Sequence, residues 1–233
     1  MSEEFASNEF AIDVLCDENG FVALPFRCLE EEGLEVDWGG EAETLSKGRL
    51  FLAEHRYSES KTWHRIVIRC DDWSKVWMVA IDSSVEILSR LAPQNAVSKA
   101  RHCTWRFLTP LPKVAGMLVY DWTELPLDAD DNFIVRDFET TEAPNSLEHS
   151  MCFFGKIEEI PHDFFSNIEA SSFKGAFQGC IIKCAIPYSL FSKQSSAKSF
   201  ASCFEEVEFK VQFPLYEEMF GDCTSAENFT GLF

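Results

Sequence analysis

The sequence predicts an α+β fold in which a mostly antiparallel sheet is accompanied by several short helices. Apolar and polar residues alternate along several short segments, which is typical of strands with one buried face. Helix-start signals occur between these segments, but few of the helices they begin could be long enough to connect parallel strands. The 233 residues are 46% hydrophobic and contain no Gly/Ser/Pro-rich linker. We therefore expect a single compact domain over residues 1–233, with a subdivision near residues 110–113 as the alternative.

The first sixty residues are predicted to contain one helix and two short strands. Residues 3–15 place Phe5, Phe10 and Val14 near one side of a helix, and the Asn-Gly pair at 19–20 would end it. Short strands are expected at residues 21–26 and 49–54, separated by an acidic loop and a glycine pair.

The clearest local pattern lies at residues 62–92, where we predict a β-hairpin followed by a helix. Residues 62–70 alternate with a period of two, so that Ile66 and Ile68 should be buried and Arg65 and Arg69 should face solvent. An Asp-rich turn then leads into an apolar second strand, and a Ser-x-x-Glu capping box follows it.

The remainder of the chain repeats this mixture of elements. Helix starts are expected at Asn145 and Pro161, since both residue types favour the beginning of a helix. We find no internal repeat. Strands are predicted at residues 100–108, 115–120, 133–138, 179–186 and 206–213.

Charge is distributed unevenly along the chain. The formal net charge of −19 is the sum of −11 for residues 1–60, +5 for residues 61–114 and −13 for residues 115–233. A mostly anionic surface repels nucleic acid and anionic membranes and favours encounter with basic proteins. We therefore expect a basic protein partner and do not expect nucleic-acid binding.

The N-terminus and the cysteines indicate the compartment. The chain starts with acidic residues where a signal peptide would be basic, and no apolar run reaches the roughly 20 residues that span a bilayer. Nine scattered cysteines lie mostly in apolar runs, as buried free thiols do. The sequence predicts a cytoplasmic protein that is not inserted in a membrane and whose thiols are reduced.

These features favour a non-enzymatic acidic interaction protein of the immunity-protein or inhibitor type, which binds a basic partner. In this class charge accelerates association, and buried aromatic residues supply affinity. No cofactor motif and no closely spaced metal ligands occur, so neither group is expected, and the sequence does not specify an oligomeric state. The predicted partner-binding carboxylates are Glu30, Glu31, Glu32, Glu35, Asp37, Asp128, Asp130 and Asp131.

The alternative function is enzymatic. The segment Phe133–Thr141 resembles the first motif of the DEDD family of 3′–5′ exonucleases, in which a hydrophobic strand leads into Asp-x-Glu-Thr. The resemblance implies that Asp137 and Glu139 would hold two metal ions for phosphodiester hydrolysis. The family's downstream aspartate motif with His or Tyr is missing, so we rank a metal-dependent nuclease second.

Two other patterns carry less weight. Asp128, Asp130, Asn132 and Glu139 have the spacing of a calcium-binding EF-hand loop, but Phe133 stands where that loop requires glycine. The block of basic residues between 61 and 106 is interleaved with tryptophan, which is compatible with a nucleic-acid face. We expect these basic residues to neutralise acidic segments of the same molecule instead.

Overall fold

The structure is a computed structural model, and it describes nine parts of the chain. The predicted helix after residue 82 and the predicted strand at 133–138 lie outside them. The described residues are 5–16, 20–28, 34–40, 42–45, 53–59, 61–82, 103–121, 140–212 and 217–233.

The described residues form short β-strands and contain no α-helix, so the predicted α+β class with several short helices is wrong. Their helical content is limited to 3-10 turns at Trp73–Lys75, Cys152–Phe154 and Glu217–Phe220. The strands are β1 (Glu9–Leu15), β2 (Phe21–Leu24), β3 (Phe26–Cys28), β4 (Leu34–Asp37), β5 (Ala42–Leu45), β6 (Ala53–Arg56), β7 (Trp63–Arg69), β8 (Val76–Asp82), β9 (Thr104–Phe107), β10 (Gly116–Asp121), β11 (Thr140–Pro144), β12 (Lys156–Glu159), β13 (Ile181–Ile182) and β14 (Glu208–Phe209).

Strand β1 illustrates why the first helix prediction is wrong. Phe10, Ile12 and Val14 are fully buried at every second position; between them Ala11 is also buried and Asp13 is partly buried, so the large apolar side chains follow a period of two and not of 3.6. β1 pairs with β7 on one side and with β9 on the other, so both of its backbone edges are hydrogen-bonded. The two neighbouring strands therefore override a helical pattern that only three apolar residues supported.

The described strands belong to three sheets. The largest has the order β14-β13-β12-β9-β1-β7-β4-β5, the second has the order β11-β10-β8-β3, and β2 pairs with β6. In the large sheet the pairings from β5 to β9 are antiparallel, and those from β9 to β14 are parallel. We predicted a mostly antiparallel sheet; four of the seven described pairings in this sheet are antiparallel and three are parallel.

The predicted hairpin is wrong, although its two strands exist. β7 pairs with β1 and β4, whereas β8 pairs with β3 and β10 in the second sheet. The turn between them carries Trp73, whose buried ring contacts Phe10 and Phe26 at centroid distances of 6.4 and 5.9 Å. Burying this tryptophan between the sheets takes the chain from one sheet to the other.

After residue 145 the chain coils in a repeating path. Isolated parallel bridges link Ser146 to Ser172, Ser172 to Ser199, and Ser199 to Asn228. These residues are 26, 27 and 29 positions apart. The parallel strands β12, β13 and β14 form a second ladder of the same kind. We call the four segments 146–151, 172–177, 199–204 and 228–233 rungs.

Each rung begins with the same polar turn. The side-chain oxygen at its first position accepts a hydrogen bond from the backbone N–H two residues later. These bonds measure 3.2 Å from Ser146, 3.2 Å from Ser172, 3.3 Å from Ser199 and 3.0 Å, through Oδ1, from Asn228. One turn geometry is therefore reproduced four times.

Aromatic rings stack from rung to rung. Phe173, Phe200 and Phe229 form one column, with centroids 5.3 and 5.5 Å apart and rings within 9° of parallel. A second column contains Phe177, Phe204 and Phe233, with separations of 5.2 and 5.7 Å. A stack of coils whose core runs along a single axis is a β-solenoid.

The absence of an internal repeat, which we inferred from the sequence, is therefore wrong. The repeat length drifts from 26 to 29 residues, so no fixed period recurs. Only a few positions per coil are retained, and the first rung has Leu147 and Met151 where later rungs have phenylalanine. The coils become evident only when the columns are seen in three dimensions.

The N-terminal strands cover the first coil. β9 pairs in parallel with β12, and Phe154 packs edge-on against Trp105 at 5.2 Å and Phe107 at 5.0 Å. All three rings are buried. Solenoids need a cap where their core would otherwise meet water. Here β9 and the strands beyond it in the large sheet cap the end of the solenoid that begins at β12.

The buried side chain of Gln194 forms hydrogen bonds to the backbone of the loop at residues 165–170. Its side chain is fully buried, with Oε1 accepting from Ala170 N at 3.1 Å and Nε2 donating to Phe165 O at 2.9 Å and Ile168 O at 2.7 Å. Replacing Gln194 with Leu would remove these three hydrogen bonds to the backbone, and among the described residues only Phe165 O would keep another donor, Ile168 N. We expect the free energy of unfolding to fall by about 3 kcal/mol, measured by urea denaturation. Gln212→Leu is the exposed control, and equal losses for the two variants would contradict this role.

Gly175 occupies a left-handed position that recurs in every rung. The residues at this position, His149, Gly175, Ser202 and Gly231, all have φ between 55° and 62°. A Cβ on Gly175 would also lie 2.4 Å from Cε1 of His149.

We predict that Gly175→Ala lowers the unfolding free energy by about 2 kcal/mol, because the left-handed backbone alone costs a non-glycine residue about 1–2 kcal/mol.

Thermal and urea melts would measure this loss. Gly221→Ala is a suitable control, since the nearest atom to its added Cβ would be Glu218 O at 3.4 Å, an ordinary contact. If both alanine variants had the same melting temperature as the wild type, the left-handed constraint on this position of the rung would be refuted.

Candidate functional site

The outer face of the large sheet carries alternating charges. Arg69 on β7 donates from Nε to Glu9 Oε1 and from Nη1 to Glu35 Oε1, both at 2.8 Å. Glu9 lies on β1 and Glu35 on β4, so one guanidinium joins three neighbouring strands. The backbone N–H of Ala6 and then Arg69 hold the pKa of Glu9 below its usual value.

Further along this face the same arrangement recurs. Arg65 donates to the Asp13 carboxylate from Nε at 2.5 Å and from Nη2 at 3.1 Å. Arg106 lies 3.4 Å from Glu158, and its guanidinium carbon is 3.8 Å from the centre of the Trp63 ring. These described arginines of the basic block are thus engaged within the molecule, as we expected from the sequence.

Two of the predicted partner-binding carboxylates lie on this face. Glu35 contacts Arg69, and Asp37 Oδ1 accepts from the backbone of Gly39 at 2.9 Å and of Gly40 at 3.0 Å. The Gly40 and Gly39 N–H groups lower the pKa of Asp37. Both carboxylates therefore have structural partners. The other predicted residues, Glu30, Glu31, Glu32, Asp128, Asp130 and Asp131, lie outside the described residues.

The predicted nuclease residues Asp137 and Glu139 also lie outside the described residues. In the part of the chain that the structure describes, no group of three or more His, Cys, Asp or Glu side chains is arranged to hold a metal ion. The EF-hand spacing falls in the same undescribed segment, so that pattern stays a sequence-based interpretation.

The nine cysteines are all described, and none forms a disulfide. Burial raises the pKa of the Cys184 thiol to about 11 and that of the fully buried Cys203 thiol further still. A thiol with a raised pKa stays protonated near neutral pH and is a poor nucleophile. Cys180 donates from Sγ to Met151 O at 3.4 Å, which agrees with a packing role for this residue.

The described residues include a polar cavity of about 350 Å³, lined by Trp38, His55, Tyr57 and His64 together with Gly39, Arg56 and Ser58. His55 stacks on Trp38 at 5.1 Å, and His64 stacks on Tyr57 at 3.7 Å. Nε2 of His64 donates to Glu59 O at 3.0 Å.

This cavity is poorly suited to binding a cation. Imidazoles lie against the faces of Trp38 and Tyr57, so these faces are not available as an aromatic cage. Trp38 Nε1 and the Tyr57 hydroxyl have no hydrogen-bond partner among the described residues, but both atoms are inaccessible to solvent. Burial also raises the pKa of Tyr57. The aromatic stack therefore fills space between β4, β6 and β7.

The last rung presents a different surface. Phe229 is 41% exposed and Phe233 is 51% exposed, whereas the phenylalanines beneath them in the two columns are at most 1% exposed. The sequence analysis missed these residues, because an isolated phenylalanine gives no signal until its column is known. The sequence signal that could have identified them is the recurrence of Ser-Phe or Asn-Phe at residues 172, 199 and 228, at intervals of 27 and 29 residues.

Comparison of the chain with profiles of known protein families, with curated proteins and with solved structures finds no match. Within the nine described ranges, no helix is long and apolar enough to cross a membrane.

The ion pairs of Arg69 generate a prediction for stability. Glu9 and Asp37 have lowered pKa values, so their contribution is present above their unfolded pKa of about 4 and is lost as the pH falls through the folded pKa. We expect Arg69→Met to lower the unfolding free energy by about 1 kcal/mol at pH 7, given its partly exposed partners. The difference from the wild type should shrink below about pH 4.

Denaturation curves at pH 7 and pH 3 would measure this effect. Lys210→Met, which removes an exposed pair with Glu208, is the matched control and should change stability much less. A stability loss for Arg69→Met that is as large at pH 3 as at pH 7 would mean that packing, and not charge, is responsible.

Proposed function

We propose that this protein is a non-enzymatic acidic interaction protein of the immunity-protein or inhibitor type, which binds a basic protein partner in the cytoplasm. The observation that supports the proposal is that the acidic residues outnumber the basic ones, while arginines of the large sheet are already paired within the molecule. Arg65, Arg69 and Arg106 contact carboxylates of the same molecule. The net charge nevertheless remains −19, so a large excess of carboxylates has no basic counterpart within the chain.

Such an excess affects association more than folding. An anionic surface attracts a basic protein over distances of about a Debye length, roughly 8 Å at physiological salt, and raises the association rate. Affinity then depends on apolar side chains that become buried in the complex. The proposed partner-facing carboxylates are those at residues 30–32 and 128–131, since Glu35 and Asp37 have structural partners.

The proposal predicts a specific pattern of kinetics. Glu30, Glu31 and Glu32 changed to Gln, together with Asp128, Asp130 and Asp131 changed to Asn, should slow association with the partner that co-purifies from the native cell. The dependence of the association rate on salt between 0.05 and about 0.5 M should flatten, because steering is screened at high salt. Stopped-flow measurements would give the rates.

The control is Glu35→Gln, which removes an ion pair with Arg69 and should lower the melting temperature while leaving the association rate nearly unchanged. If the six-residue variant bound at the wild-type rate at every salt concentration, these carboxylates would not be the steering residues. Magnesium-dependent nuclease activity that Asp137→Asn abolishes would replace the proposal with the enzymatic alternative.

A further inference from the structure

The polar cavity between β4, β6 and β7 has two histidines in its wall. His55 lies on β6 and His64 on β7. His64 belongs to the alternating set of β7 whose next members, Ile66 and Ile68, are fully buried. A histidine therefore occupies a position that this face of the strand would otherwise fill with an apolar side chain. The two strands bring both imidazoles to one cavity of about 350 Å³.

The stacking of these imidazoles leaves the edges of their rings available. The rings of His55 and Trp38 lie within 14° of parallel, and those of His64 and Tyr57 within 7°. Stacking uses ring faces, whereas imidazoles form hydrogen bonds through the nitrogens at their edges. Among the described residues His55 has no hydrogen-bond partner for either ring nitrogen, and neither nitrogen is one of the buried atoms that lack a partner. The stacked ring therefore has a fixed orientation and an open edge.

Arg56 adds a cation to this cavity. It lies beside His55 on β6, is exposed and lines the cavity. In the part of the chain that the structure describes, Arg56 forms no ion pair with a carboxylate. The arginines of the large sheet, by contrast, are paired: Arg65, Arg69 and Arg106. Because acidic residues outnumber basic ones by 39 to 20, an unpaired arginine is unexpected in this chain. Its guanidinium keeps its donors for a ligand.

The wall of the cavity lacks the negative charge that prevails elsewhere in the chain. None of the seven described residues that line the cavity is acidic. The neighbouring carboxylate of Asp37 accepts from the N–H groups of Gly39 and Gly40 and lies 4.0 Å from Nη1 of Arg69. Its charge is therefore met by donors outside the cavity wall. Cationic and hydrogen-bonding groups thus converge in one place on a protein with a net charge of −19.

We infer that this cavity binds a small molecule through an oxyanion, either a phosphate or a carboxylate group. The planar guanidinium of Arg56 donates to two oxygens of such a group. His55 and the Ser58 hydroxyl supply further donors, and Nδ1 of His64 becomes one when the ring is protonated, since its Nε2 already donates to Glu59 O. The volume admits the oxyanion with the atoms next to it. This inference is independent of the proposed function.

The acidic surface makes the binding diagnostic. A net charge of −19 repels anions at long range, so phosphate would not collect on this protein without local donors. Saturable binding therefore depends on the groups in the cavity.

Nuclear magnetic resonance of the histidine Cε1 protons can test the site in the full chain. We expect inorganic phosphate, added at constant pH and ionic strength, to shift the His55 and His64 signals along one saturation curve with a Kd of about 1 mM or lower. His162, which is exposed in the solenoid, is the internal control and should not shift. Succinate serves as the carboxylate probe. Saturation by phosphate, by succinate or by both supports the inference and identifies the oxyanion.

Variants separate the cavity from the overall charge. Arg56→Gln should weaken phosphate binding at least about tenfold, the effect of losing a charge-assisted hydrogen bond. Lys174→Gln removes the same charge from an exposed residue of the solenoid and should change the affinity less than about twofold. His55→Phe keeps a ring against Trp38 but removes the nitrogens, and should weaken binding about threefold or more. Melting curves would check that the variants are folded.

Three results would overturn the inference. The first is that neither phosphate nor succinate shifts the His55 and His64 signals with saturation. The second is a parallel, unsaturated shift of His162 together with them, which is a general effect of the added salt. The third is equal weakening by Arg56→Gln and Lys174→Gln, which would assign the effect to net charge. The wild-type spectra decide the first two even if a variant does not fold, and none of these results concerns the binding of a basic protein.

Discussion

The parallel pairing of β9 with β12 is the contact on which the rest of the structure depends. It aligns Thr104 with Lys156 and Trp105 with Ile157, and it makes one sheet out of an antiparallel part and a solenoid. Phe154 fills the space beneath this junction against Trp105 and Phe107. Because the solenoid core would otherwise be open at this end, the N-terminal strands stabilise the coils by covering them.

That junction also makes the molecule asymmetric. One end of the solenoid is buried against β9, whereas the other presents Phe229 and Phe233 to solvent. Along the large sheet, cross-strand pairs such as Arg69 with Glu9 and Glu35 balance charge locally. Between Ser199 and Phe233 the chain has seven acids and one base, and the exposed Lys198 adjoins this segment, with its carbonyl accepting from the N–H groups of Glu227 and Asn228.

Cys203 and the histidines of the Trp38 cavity have structural surroundings. Burial raises the pKa of the Cys203 thiol, and the histidines of the Trp38 cavity stack on aromatic rings. Their contacts stabilise the fold. In the last rung, the exposed rings of Phe229 and Phe233 continue the two buried columns.

The sequence by itself determined the strands with two-residue periodicity, such as β7, where Ile66 and Ile68 are buried and Arg65 and Arg69 face outward. It also determined the acidic excess, because alternation and charge are local properties; the ion pairs of the arginines depend on which strands lie side by side. Strand partners, the solenoid and the exposed last rung were decided only by the tertiary structure. Pairing is long-range, so a pattern within β7 cannot specify whether β1 or β8 lies beside it, and a repeat that drifts from 26 to 29 residues becomes recognisable only when its rings stack.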